Sequence, residues 1–218
     1  MGKKWQKKVN EIPDIDKVSN FLYYWGITSP REYADQMDAD PDKIGTASDG
    51  VAKVKDAYDT LMEGITKGVA KLDAHWDGDG AATYMSEFLP RVDKHLTRLQ
   101  AKCKDQSDDA SKVSGTLQAS QDKLYPMLVN LVEVTQHAAA AFLVSLMGGP
   151  VVAGGSLLVN DARIIMASYD CYKLVSETEG ELGKHEWFND LGTVPVFDYG
   201  SSGLDGDDMS RAGWEPEP

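Results

Sequence analysis

Four histidines (His75, His95, His137, His185) and two cysteines (Cys103, Cys171) are the residues best able to ligate a metal or act as nucleophiles. Their spacing supports neither role. A zinc site takes ligands in close pairs, and no His-Glu-x-x-His or Cys-x-x-Cys occurs. His75-Trp-Asp77-Gly-Asp79-Gly80 begins like a calcium loop, but His75 stands at its first position and Ser86 at its twelfth, so the decisive carboxylates are missing. Asp205-Gly-Asp-Asp208 is likewise too short for a full loop. There is no phosphate-binding Gly-rich loop, no dinucleotide fingerprint and no Gly-x-Ser-x-Gly. The many Asp and Glu pairs fit solvated helix faces better than acid–base catalysis. The expectation is a protein without catalytic residues, cofactor or bound metal, acting through contacts.

Charge narrows the partners. With 22 basic and 35 acidic residues the net charge is −13, the wrong sign for a protein that neutralises phosphates, so nucleic acid is not an expected partner. The basic residues Lys3, Lys4, Lys7 and Lys8 open the chain, and acidic residues dominate from Gly183 onward. No apolar run comes after the basic start (residues 9–20 read VNEIPDIDKVSN), so a Sec signal is not expected, and position 6 is Gln rather than the Ser or Thr of a myristoylation signal. An apolar fraction of 42% fits an ordinary core.

Helices must position whatever the chain uses. Ile12, Ile15, Val18, Phe21, Leu22 and Trp25 form one helix face, and Ser29-Pro30-Arg31-Glu32 is a capping box opening a second short helix. Asp38 to Gly45 reads as a polar connector, with Ser48 or Asp49 capping the next helix. Val51, Val54, Tyr58, Leu61, Ile65, Val69, Leu72 and Trp76 then recur at intervals of three and four, a stripe suited to a long antiparallel partner. Trp76-Asp77-Gly78-Asp79-Gly80 ends the stripe where paired glycines permit a reversal. A second stripe runs from Tyr84 and Phe88 to Leu117, and Pro90 should kink or reset its helix. A short connection makes the two helices antiparallel.

Beyond residue 118, Ala138 to Val159 is a stretch of 22 residues without a charge, interrupted by Gly148-Gly149-Pro150. It reads either as two apolar core helices joined by a tight turn or as an element that enters a membrane. Residues 161–182 return to a mixed helical pattern. The predicted organisation is short helices over 1–45, a hairpin over 46–118, an apolar Gly-rich hairpin over 119–182, and an acidic, unstructured tail over 183–218. The fold class is all-α: a long antiparallel hairpin extended into a helical bundle.

Trp76-x-Gly78-x-Gly80-x-x-x-Tyr84, set between two long amphipathic helices, resembles the turn of the WXG superfamily, the Esx-type hairpins exported by bacterial type VII secretion. Phe88 lies further along the same stripe, and Ala81 and Ala82 match the small residues after the turn. The resemblance spans residues 46–118. It implies a four-helix bundle formed with a second copy or another helical partner, export by the type VII machinery of a Gram-positive cell, and no catalysis. It also implies that Trp76, Gly78, Gly80, Tyr84 and Phe88 shape a secretion or partner motif. Two departures stand out. None of the nine tyrosines has an acid four residues later, as the family's export signal requires, and the chain exceeds a minimal hairpin, nearer the length of PPE- or EspB-like substrates. The alternatives are a membrane-active, pore-forming effector working through residues 138–159, and a cytoplasmic scaffold or chaperone for a toxin.

Overall fold

The computed structural model describes residues 3–73, 75, 78, 82–148 and 150–185, leaving undescribed the side chains of 72–73, 144–148 and 150–159. Every element among these residues is helical: α1 (Lys3–Asn10), α2 (Ile15–Tyr24), α3 (Pro30–Gln36), α4 (Pro41–Asp73), a π-helical turn (Tyr84–Phe88), α5 (Leu89–Gly148) and α6 (Pro150–Leu182). The all-α expectation therefore holds. The proposed acidic tail lies outside the described residues, apart from its first three.

Packing groups the chain along lines other than the four sequence segments. One compact unit joins residues 1–47 to 109–186; the other holds 48–108 with 187–218.

The first unit contains the main core. On α5, the buried positions Leu117, Gln121, Leu124, Leu128, Leu131, Thr135 and Ala138 alternate at four and three residues. On α6, Ile164, Ser168, Cys171, Val175 and Thr178 do the same. Such alternation is the seam of antiparallel helices packed side by side. The direction is set by two contacts: Thr178 Oγ1 donates to Ser120 Oγ at 2.9 Å, and His185 Nδ1 lies 3.7 Å from an Asp109 carboxylate oxygen. The polar seam residues are satisfied, since Gln121 Nε2 donates to the carbonyls of Met37 and Ala39, both at 2.9 Å, and Thr135 to that of Leu131 at 2.7 Å.

Helices α1 to α3 complete this core. Trp5 and Val9 of α1, Val18 and Leu22 of α2, and Tyr33 and Ala34 of α3 are buried in the same cluster as Leu124, Leu128 and Leu131. The indole Nε1–H of Trp5 donates to the Ala34 carbonyl at 2.8 Å, and Tyr33 and Ser168 share a hydroxyl hydrogen bond at 3.0 Å. The capping box at Ser29 is present: its Oγ accepts from Glu32 N at 3.2 Å while the Glu32 carboxylate accepts from Ser29 N at 2.7 Å.

Two boundaries depart from the sequence expectations. α4 begins at Pro41 instead of near Ser48, because Pro41 supplies a preset first-turn φ and the Asp40 carboxylate accepts from Lys43 N at 3.4 Å. The half of the expected connector from Pro41 to Gly45 is therefore helix. Likewise α5 continues past residue 118 to Gly148. The seam repeat runs through that point unbroken, and Pro126 sits on the exposed side, where water can take the hydrogen bond its missing N–H leaves open.

Near Pro90 the expected disturbance is visible as the π-helical turn Tyr84–Phe88, which accommodates a ring that cannot join the regular ladder. At the apolar stretch, α5 ends at Gly148 and α6 starts at Pro150.

Candidate functional site

The second unit contains α4 from Ser48 and α5 up to Asp108. Their antiparallel pairing is read from three bonds. Ser48 Oγ donates to the Ser107 carbonyl at 2.7 Å and Ser107 Oγ to the Ser48 carbonyl at 3.1 Å, while Gln100 Nε2 donates to the Asp59 carboxylate further along. The paired positions rise on one helix as they fall on the other, which defines a hairpin.

This hairpin has little interior of its own. Among its described residues only Ser48 and Leu96 are buried. The α4 stripe divides: Val51, Tyr58, Ile65 and Val69 are half-buried, whereas Val54 and Leu61 are 46% and 48% exposed. On α5, Leu89, Val92, Leu99 and Cys103 are half-buried. Two helices meet along one line only, so a stripe wide enough for two neighbours keeps one flank in water.

Charged pairs lie along both helices of the hairpin. Lys55 pairs with Asp59 at 3.2 Å, Lys67 with Glu63 at 3.4 Å and Lys104 with Asp108 at 2.6 Å, all one helical turn apart. Hydrogen bonds that they donate to Asp59 and Asp108 hold the Lys55 and Lys104 ammonium groups above the usual lysine range. Such surface pairs contribute little to stability.

Of the residues singled out at the turn, Trp76 and Gly80 lie outside the described residues. Gly78 has φ +112°, a conformation that a side chain would strain, and its carbonyl accepts from Ala82 N at 3.1 Å. Tyr84 and Phe88 stack, with ring centroids 5.2 Å apart and planes inclined by 23°. They occupy the first and last positions of the π-helical turn, which brings together residues four apart.

Among the described residues no three His, Cys, Asp or Glu side chains gather to hold a metal ion. Burial, assisted by Asp170, pushes the Cys171 thiol up to about 12, which makes it a poor nucleophile. Cys103 is half-buried on the hairpin, and both cysteines are free thiols.

Sequence reasoning missed the exposed apolar set in the first unit. Ile165, Met166, Tyr169 and Tyr172 point away from the α6 seam, and Tyr23, Tyr24 and Trp25 at the end of α2 are also exposed. Apolar residues on two faces of α6 were the available signal, because one core accommodates only one face.

No protein-family model matches this chain, and neither a curated protein nor a solved structure matches it significantly.

Proposed function

We propose that this is an exported, non-enzymatic helical protein of the type VII secretion pathway that acts by binding or assembling with a helical partner. The observation that supports partner binding best is the half-exposed apolar stripe on both helices of the hairpin, with Val54 and Leu61 at its edge. A second hairpin laid on this stripe would complete a four-helix bundle and bury those side chains. The export reading rests on the Trp76-x-Gly78-x-Gly80-x-x-x-Tyr84 pattern between the two helices. Its suggested parts are Trp76 and Gly78 as the tip, with Gly80 in the reversal and the Tyr84–Phe88 stack as support. The missing tyrosine-based export signal would come from the partner.

The test is fractionation of producing cells into culture filtrate, membrane and cytosol, with and without the type VII ATPase. Appearance in the filtrate that depends on the ATPase, and is lost in Trp76→Ala, supports the reading. Cytosolic retention in both strains with one co-purifying protein would instead favour a scaffold or toxin chaperone.

A further inference from the structure

The chain carries a net charge of −13, yet one side of α5 in the hairpin is basic. Arg91, Lys94, Arg98 and Lys102 follow one another at three, four and four residues, which sets all four on one side of the helix. Asp93 is the one acidic residue between Leu89 and Lys104, and at about 100° per residue it falls on another side. Lys94 and Arg98 are exposed and form no ion pair among the described residues, whereas Lys104 has Asp108. Four cations in a row raise a local positive potential that an acidic segment would relieve.

The chain itself supplies such a segment. Residues 186–218 hold eight acidic residues and one basic, Arg211. They follow His185, whose Nδ1 lies 3.7 Å from an Asp109 carboxylate oxygen, and Asp109 is seven residues from Lys102 along α5. At a rise of about 1.5 Å per residue, the row begins about 10 Å from Asp109 and ends about 27 Å from it. An extended chain covers the longer distance in about nine residues, so the segment is long enough several times over. Residues 187–218 also belong to the same compact unit as the row. Tethering gives such a segment an effective concentration in the millimolar range, against which a free acidic ligand competes poorly.

We propose that the acidic C-terminal segment docks on the Arg91–Lys94–Arg98–Lys102 row of its own chain and shields it. The row is thereby closed to acidic segments of other proteins, and it opens when salt or a stronger acidic competitor displaces the segment. This shielding is independent of export and of a partner on the apolar stripe.

The experiment is zero-length cross-linking of the full chain with a water-soluble carbodiimide, followed by peptide mapping. The reagent joins a lysine amine to a carboxylate only where the two are in contact. At low salt, Lys94 and Lys102 should be joined to acids of residues 186–218. Mixing isotope-labelled with unlabelled chains shows whether each link lies within one molecule. Sodium chloride at about 0.5 M, which shortens the screening length to about 4 Å, should suppress the links. Arg98→Glu leaves both reporter lysines in place and should cut the yield by about fivefold, with helical circular dichroism unchanged at this exposed position. Trp76→Ala and Leu61→Ser should cross-link as wild type does, which separates this contact from the export reading and from the stripe. The proposal is overturned if neither lysine is joined to the segment, or if the yield withstands salt or the Arg98→Glu reversal. It is also overturned if labelled chains are joined to unlabelled ones, which would assign the row to a second copy.

Discussion

Ser48 and Ser107 each donate a side-chain hydroxyl to the other's backbone carbonyl, at 2.7 and 3.1 Å, and so lock α4 against α5 at one register. Both bonds cross between helices at a part-buried site, so removing either serine leaves the other's carbonyl with its own helix's bond alone. We expect Ser48→Ala/Ser107→Ala to lower stability by about 1 to 2 kcal/mol, with a double-mutant cycle showing coupling. Urea unfolding measures it; strictly additive single variants would show that the two bonds are independent.

Leu124 and Leu61 occupy equivalent stripe positions with opposite surroundings, one fully buried and the other 48% exposed. Leu124→Ala should cost about 2 to 5 kcal/mol. Leu61→Ala should cost about 0.5 kcal/mol or less in the isolated chain. Its effect should appear in partner capture instead. Equal losses of stability for the two would remove the argument that the hairpin stripe awaits a partner.

Trp5→Phe keeps an aromatic ring in the core but deletes the indole donor to the Ala34 carbonyl, leaving that carbonyl only its bond from Met37 N. A loss of about 0.5 to 1.5 kcal/mol is expected by thermal or denaturant unfolding. An unchanged midpoint would mean that α1 contributes packing alone.

Cys171 carries a pH prediction. Its thiol ionises near 12 in the folded chain against 9.0 for the free group, because burial opposes the thiolate. Between these values the unfolded chain releases a proton that the folded chain keeps, so stability falls as pH rises, by up to about 1.4 kcal/mol per pH unit. Unfolding titrations across that window should show a slope that Cys171→Ala reduces. At pH 8 a thiol reagent should modify Cys103 in the native protein and Cys171 only after denaturation.

Local signals carried much of the architecture. The Ser29-Pro30-Arg31-Glu32 capping box could be read directly because all its atoms lie within one helical turn. The three–four spacing of Val51, Val54, Tyr58 and Leu61 likewise announced a helix. The start of α4 was less legible, since a Pro after a polar run signals a break as readily as a first turn, and the Asp40 cap decides between them. Continuation of α5 past residue 118 was obscured by Ser120, Gln121 and Thr135, which look like breaks in an apolar stripe. They are buried and hydrogen-bonded within it.

At the turn, the sequence marked Gly78 as a residue needing backbone freedom, and its φ of +112° uses that freedom. The Tyr84–Phe88 stack is a consequence of their four-residue spacing. By contrast, nothing in the spacing of Ile164, Ile165, Met166, Tyr169 and Tyr172 tells which of them faces inward.

The sequence by itself determined the helical class, the capping of α3 and the two long stripes of the hairpin, because these depend on interactions within a turn or two of helix. Tertiary structure alone decided that α1 to α3 close the core over α5 and α6, that Gln121 and Thr178 belong inside, and that Trp25, Ile165 and Tyr169 remain outside. Periodicity states that a helix has an apolar face; which face is covered depends on neighbours far away in the chain, and on the one side of α6 that a single core can bury.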